Sequence, residues 1–117
     1  MYKFLPFMTK DFSVGLYDED VNDIYHSAFG ALNEAYEKFV NPFFEIYNTG
    51  VIKIQSFNIL DICYGIGYNT KAFLSECIKS DLGARIDCVD IDENLIKLSP
   101  FIKNKVNLAD RLMKKNY

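Results

Sequence analysis

Tryptophan is absent, histidine occurs once (His26), and the three cysteines, Cys63, Cys77 and Cys88, include no C-x-x-C pair. An odd cysteine set beside a single histidine writes neither a disulfide framework nor a Cys/His zinc site; reduced, mostly buried thiols are the expectation, and no metal ligands are assigned. No apolar run approaches the ~18 residues that a spanning helix needs. The start Met1-Tyr2-Lys3-Phe4 lacks the basic region, apolar stretch and small-residue cleavage site of a signal peptide. These absences lead to the expectation of a cytoplasmic protein with no membrane partner. Low-complexity sequence is missing too: of 117 residues, 50% are apolar, 25% charged and 18 aromatic (8 Tyr plus 10 Phe), enough for a packed core of about one domain.

Charge is divided along the chain. Residues 1–96 carry 7 basic and 15 acidic side chains, a net of −8, whereas residues 97–117 carry 6 basic and 1 acidic, a net of +5. A basic terminal segment suits a phosphate backbone such as that of tRNA, and equally suits a solvated helix face.

The first stretch holds Phe4, Leu5, Phe7 and Met8, then Phe12, Val14 and Leu16 after the polar trio Thr9-Lys10-Asp11. That pattern predicts a β-hairpin whose first strand, with Pro6, lies at an edge. The acidic cluster Asp18, Glu19, Asp20 and Asp23 reads as a solvated turn. Ala31, Leu32, Ala35, Tyr36, Phe39 and Val40 then recur at helical spacing, and this helix is expected to stop near Asn41-Pro42. Asn41 would cap a second short helix bearing Phe43, Phe44, Ile46 and Tyr47 and ending at Gly50. The aromatic stripe of these helices is read as core packing rather than as a base-stacking surface.

From Gln55 the character changes. Phe57 to Cys63 is a short apolar run of the kind buried on both faces, and it leads into Tyr64-Gly65-Ile66-Gly67-Tyr68-Asn69. A helix capped by Asn69 or Thr70 should follow, with Ala72, Phe73, Cys77 and Ile78 inside and an end around Asp81-Leu82-Gly83. Arg85 to Ile91 reads as a second strand, Asp92-Glu93 opens another helix, and Val106, Leu108, Leu112 and Met113 suggest one more. The fold class is therefore α/β: a Rossmann-like βαβα beginning with a right-handed crossover, preceded by a hairpin and helices. The division expected is an N-terminal extension over 1–55 and a cofactor-binding part over 56–117. Two parallel strands leave an incomplete sheet, and self-association is one way to cover it.

Chemistry concentrates in Asp61 to Thr70 and in Asp90, which lies 23 residues beyond Gly67. A glycine turn between strand and helix lets a ligand approach the backbone, and an acid closing the next strand can hold ribose hydroxyls. The layout is that of a nucleoside-cofactor site. A dinucleotide pyrophosphate favours G-x-G-x-x-G, yet Thr70 stands at the third glycine position and Asp61 would repel a pyrophosphate. S-adenosylmethionine carries an ammonium and a sulfonium instead, so Asp61 attracts it. An NAD-dependent oxidoreductase is the less favoured alternative.

Asp61 to Thr70 resembles the first motif of class I, Rossmann-like methyltransferases, and Val89-Asp90-Ile91-Asp92 resembles their second. The stretch from Asp23 to Ala35, together with Gly-x-Gly-Tyr-Asn, is similar to the MnmC-like methyltransferase domain, which completes the methylaminomethyl group of the tRNA wobble uridine. The likeness covers about residues 9–100. It implies that Asp61, Gly65 and Gly67 line the methionine end of S-adenosylmethionine, that Asp90 takes the ribose hydroxyls, that Cys63 and Asn69 also belong to the cofactor-binding set, and that Tyr25 and Ser27 lie near the pocket. Read without the resemblance, Tyr25, His26 and Ser27 are helix-entry residues, with Ser27 as the cap. Cys63 stands where the class has its first glycine. The family's later strands have no counterpart after about residue 100, and no residue is assigned as catalytic acid or base. Two function classes follow: a tRNA methyltransferase or its N-terminal part, and a non-catalytic binding or self-assembling module derived from one.

Overall fold

A computed structural model of the chain describes residues 4–25 and 28–102. The expected hairpin is present as β1 (Phe4–Met8) and β2 (Val14–Asp18), antiparallel, with Pro6 opposite Leu16 on the edge strand. A third strand, β3 (Asp23–Tyr25), extends the sheet in the order β1-β2-β3. Sequence alternation does not announce it, because three residues are too few to establish a period of two.

The turn between β1 and β2 caps a helix about twenty residues away. Ser13 Oγ accepts the Ala31 N–H at 3.1 Å, and Asp11 Oδ2 accepts the Asn33 N–H at 2.9 Å, so two orphan donors of the helix are satisfied by the hairpin. The residue at the helix cap, Gly30, has no side chain to do this. Burial pushes the Asp11 carboxyl up, but hydrogen bonds from the Ser13 and Thr9 hydroxyls and from the Asn33 and Ser13 amides outweigh it and hold the group at about 2. Ser27 and His26, the local candidates, lie outside the described residues, as do the tail helix and most of the basic segment.

The helix does not stop at Asn41-Pro42. It runs from α1 (Ala31–Ala35) through one π-helical turn (Tyr36–Val40) into α2 (Asn41–Asn48) without leaving the α region, and Asn41 makes no side-chain cap. Asn41 N–H donates to Tyr36 O, five residues back. This widened turn lies just before Pro42, where a regular α-helix would drive the ring into the carbonyl four residues earlier. The aromatic stripe packs as expected: Phe43 lies edge-on to Phe57 and Phe73 at 5.2 and 4.9 Å, and Tyr47 is edge-on to Phe57. Phe39 is the exception, 53% exposed.

Strands β4 (Ser56–Ile62) and β5 (Gly83–Val89) pair in parallel through the crossover helix α3 (Tyr68–Lys79), and α4 (Glu93–Leu98) follows with a 3-10 turn at Ser99–Phe101. This is the expected βαβα order, with two strands in this sheet among the described residues. Helix α3 ends in a Schellman motif: Leu82 N–H reaches Cys77 O at 2.8 Å, Asp81 N–H reaches Ile78 O, and Asp81 rather than Gly83 takes the left-handed position. Asp92 caps α4 by accepting the Asn94 N–H.

One core joins the N-terminal segment to the βαβα unit: Leu16, Ala31, Ala35 and Val40 pack with Ile66, Tyr68, Ala72, Leu95 and Ile102. Its most directed contact is the buried Tyr68 hydroxyl, which donates to Val14 O at 2.6 Å and accepts the Val14 N–H at 2.8 Å. Two expectations are corrected. Strand β4 is not buried on both faces, since Leu60 and Ile62 are 61% and 66% exposed. Of the cysteines only Cys77 is buried; Cys63 and Cys88 are exposed. Cys63 lies just past the end of β4, and Cys88, near the end of β5, is exposed as a residue although its sulfur is turned toward Thr70.

Candidate cofactor site

The glycine turn is built by positive backbone angles. Cys63, Gly65 and Gly67 have φ of 62, 60 and 88°. Two of these are glycine, which adopts the left-handed region at no steric cost; Cys63 adopts it with a β-carbon, at a cost of roughly 1–2 kcal/mol. Cysteine at position 63 therefore holds the turn in a left-handed conformation and stores strain in it. A β-carbon on Gly67 would collide with the Tyr64 phenol. Tyr64 is itself buried, and its hydroxyl pairs with Ser99 Oγ at 2.9 Å, tying the turn to the end of α4.

Asp90 joins the two sequence motifs. Its Oδ2 accepts the Gly65 N–H at 2.8 Å and its Oδ1 accepts the Asp92 N–H at 2.9 Å, so the acid closing β5 holds the glycine turn and the entry to α4 together. Each carboxylate oxygen retains a second lone pair for a ligand hydroxyl. Tyr64 N–H adds a bond to Val89 O at 3.0 Å.

Asp61 lies on the other side of the turn. Its Oδ2 accepts the Thr70 hydroxyl, so Thr70 serves the carboxylate instead of capping α3; the residue at that cap is Gly67, and no side chain caps the helix. The second expected cap, Asn69, lines a groove of about 230 Å³ with Asp61 and Thr70. Four consecutive β4 residues, Ile59 to Ile62, border this groove, as does Phe39. Since successive side chains alternate faces, a cavity touching all four runs along the unpaired edge of the strand. The Cys88 Sγ lies 3.5 Å from the Thr70 hydroxyl. Burial, with the nearby Asp61 and Asp87 charges, pushes the Cys88 thiol up, which disfavours a thiolate nucleophile there.

The structure thus brings together Asp61, Asn69 and Thr70 at the groove, and Gly65 with Asp90 at the turn. Tyr25 is in β3, its ring edge-on to Phe4 at 6.0 Å and packed against the shared core. Sequence reading missed Lys71, which is fully buried in α3 and donates to Ser99 O and Ile102 O at 3.0 and 3.1 Å. The available signal was its place beside Ala72 on the inner side of the helix. A lysine there is ordinarily read as solvated.

These residues fit S-adenosylmethionine. Asp61, a carboxylate with one oxygen engaged by Thr70, borders the groove and suits a cationic group, and Asp90, an acid with spare acceptor capacity, closes the neighbouring strand. Among the described residues no group of three His, Cys, Asp or Glu side chains is arranged to hold a metal ion, and no helix is long and apolar enough to cross a membrane.

No protein-family model matches the chain. An uncharacterized protein of Methanocaldococcus jannaschii, MJ0670, is 34% identical over 94 residues, 80% of this chain and 24% of that protein. The crystal structure of MNMC2 from Aquifex aeolicus superposes with a TM-score of 0.60 at 26% identity, covering 75% of this chain and 29% of that one. The chain spans about a quarter of the length of the curated relative it matches. Over the matched part its architecture is that of the class I, Rossmann-like S-adenosylmethionine methyltransferase superfamily, in its opening strand–helix units.

Proposed function

We propose that the chain is the cofactor-binding part of an S-adenosylmethionine-dependent methyltransferase acting on the aminomethyl group of a tRNA wobble uridine. The observation that carries the cofactor is the clamp of Asp90 on the Gly65 amide, with Asp61 across the turn. The similarity to MNMC2 and the resemblance of residues 23–35 to MnmC-like domains support the substrate. When bound, the cofactor supplies a sulfonium-activated methyl group. Asp61 and Asn69 hold its methionine end; Asp61 does so by charge and excludes a pyrophosphate by the same charge. Cys63, Gly65 and Gly67 present backbone rather than bulk, and Asp90 accepts from the ribose hydroxyls while keeping the turn in place. The task left to the chain is alignment of the methyl group and exclusion of water. The basic segment 97–117 contributes phosphate contacts, with Lys97 already held by Glu93 at 2.6 Å.

Saturation-transfer NMR tests the cofactor class. S-adenosylmethionine should take up saturation from the protein and NAD should not; the reverse order would reassign the site to a dinucleotide.

A further inference from the structure

Lysine is almost never fully buried unless its amine is paired, yet Lys71, one turn into α3, has no exposed surface. Its Nζ donates to Ser99 O and Ile102 O at 3.0 and 3.1 Å, carbonyls of the turn that follows α4. A helix end leaves such acceptors open, so a side chain of α3 closes the end of α4. The backbone of the same residue reaches the glycine turn: Lys71 N–H donates to Gly67 O at 2.9 Å.

Ser99 carries a second tie. Its hydroxyl proton goes to Ile96 O at 3.2 Å, so in the buried 2.9 Å pair with Tyr64 the phenol is the donor. Tyr64 opens the glycine turn, and its carbonyl accepts the Gly67 N–H at 3.1 Å. At its other end α4 begins beside Asp90, which holds the Asp92 N–H with one oxygen and the Gly65 N–H with the other. Helix α4 is therefore attached to the same turn twice, through Asp90 at its start and through Ser99 at its finish. It has six residues and fully buries only Leu95, too little to fix its place without these anchors.

We infer that Lys71 and Tyr64 are positioning residues of the candidate cofactor site: by fixing the end of α4 they hold the Asp90 carboxylate on the glycine turn. Their effect on a ligand rests on the cofactor reading given above. Their hold on the Asp90 clamp does not, and it is measured without ligand.

Amide hydrogen exchange by NMR on the ligand-free full chain tests the clamp, in the parent, in Lys71→Met and in Tyr64→Phe. Lys71→Met keeps the length of the side chain and removes the donor. The Gly65 and Asp92 amides, both held by Asp90, should lose protection by at least about tenfold in each variant, while amides paired between β4 and β5 change by less than about threefold. A general loss of stability would lower both groups together. Titration should show S-adenosylmethionine bound at least about tenfold more weakly by Lys71→Met, and a double-mutant cycle should find that loss coupled to Asp90→Asn and additive with Asp61→Asn. Should Lys71→Met fail to fold, Tyr64→Phe gives the same reading. Unchanged exchange at Gly65 and Asp92, or an equal loss throughout the sheet, overturns the proposal. Equal cofactor binding by parent and Lys71→Met overturns the positioning role and leaves the cofactor reading standing; no binding by the parent refutes that reading, and the exchange result still decides the clamp.

Discussion

Removing one oxygen atom from Tyr68 should separate the N-terminal segment from the glycine turn. The hydroxyl is the partner of both backbone groups of Val14, at 2.6 and 2.8 Å, and the residue is completely buried. Strand β2 needs it because β3 pairs with β2 only as far as Leu16 opposite Tyr25, leaving Val14 beyond that ladder. Tyr68→Phe preserves the ring and its packing but leaves an N–H and a C=O without their partner. An unsatisfied buried group costs about 1–3 kcal/mol, so the pair should cost about 2–3 kcal/mol once partial access of water to half-buried Val14 is allowed for. For a chain of this size that lowers the melting temperature by roughly 8–12 °C. Urea denaturation followed by circular dichroism measures it, with hydrogen exchange at the Val14 amide as the local readout. Tyr47→Phe is the control: its ring packs on Phe43 and Phe57, and among the described residues its oxygen makes no hydrogen bond, so less than about 0.5 kcal/mol is expected. A Tyr68→Phe protein within about 0.5 kcal/mol of the parent would refute the view that this hydroxyl joins the two segments.

Cys63→Gly should stabilise the fold by roughly 0.5–1 kcal/mol, because relief of the left-handed strain exceeds the extra chain entropy of glycine; a lower denaturation midpoint would contradict it. The Asp11 carboxyl, held at about 2 against an ordinary 3.8, contributes stability that is present above pH 4 and lost as pH falls through about 2. Asp11→Asn should therefore flatten the acid limb of the stability–pH curve between about 4 and 2; an unchanged limb would count against the cap. If segment 97–117 contacts tRNA, filter binding should weaken steeply with salt, and deletion of 103–117 should remove most of that dependence; tRNA affinity unaffected by the deletion would remove the role.

The βαβα order was legible because each of its elements is announced locally. An apolar run meets Gly65 and Gly67, helical spacing follows, and Asp92 sits where a helix cap belongs. The hairpin was legible for the same reason, with polar Thr9 to Asp11 between apolar flanks. What escaped reading depends on contacts distant in sequence. The helix start is capped by Ser13 and Asp11 from another element, and no local pattern encodes that. Propensity argued for a break at Pro42, but one π turn accommodates the ring at the cost of a single irregular turn, and packing on α3 and β4 rewards continuity. The apolar run of β4 overstates its burial, because such a run shows that a strand can be covered, while the cover itself must come from other residues. At the site, spacing picks out Asp61 and Asp90 for a ligand, but their work in the fold, holding the Thr70 hydroxyl and the Gly65 and Asp92 amides, depends on a register that spacing alone does not reveal.

Isothermal titration of S-adenosylmethionine into the folded chain tests the central claim most directly, with Asp61→Asn as the paired variant. That substitution keeps the shape and removes the charge, and unlike Asp90 the residue does not hold the glycine turn. The account predicts a single site per chain and an affinity at least about tenfold weaker in the variant. No heat from a chain that still melts cooperatively, or equal binding by both proteins, would contradict it.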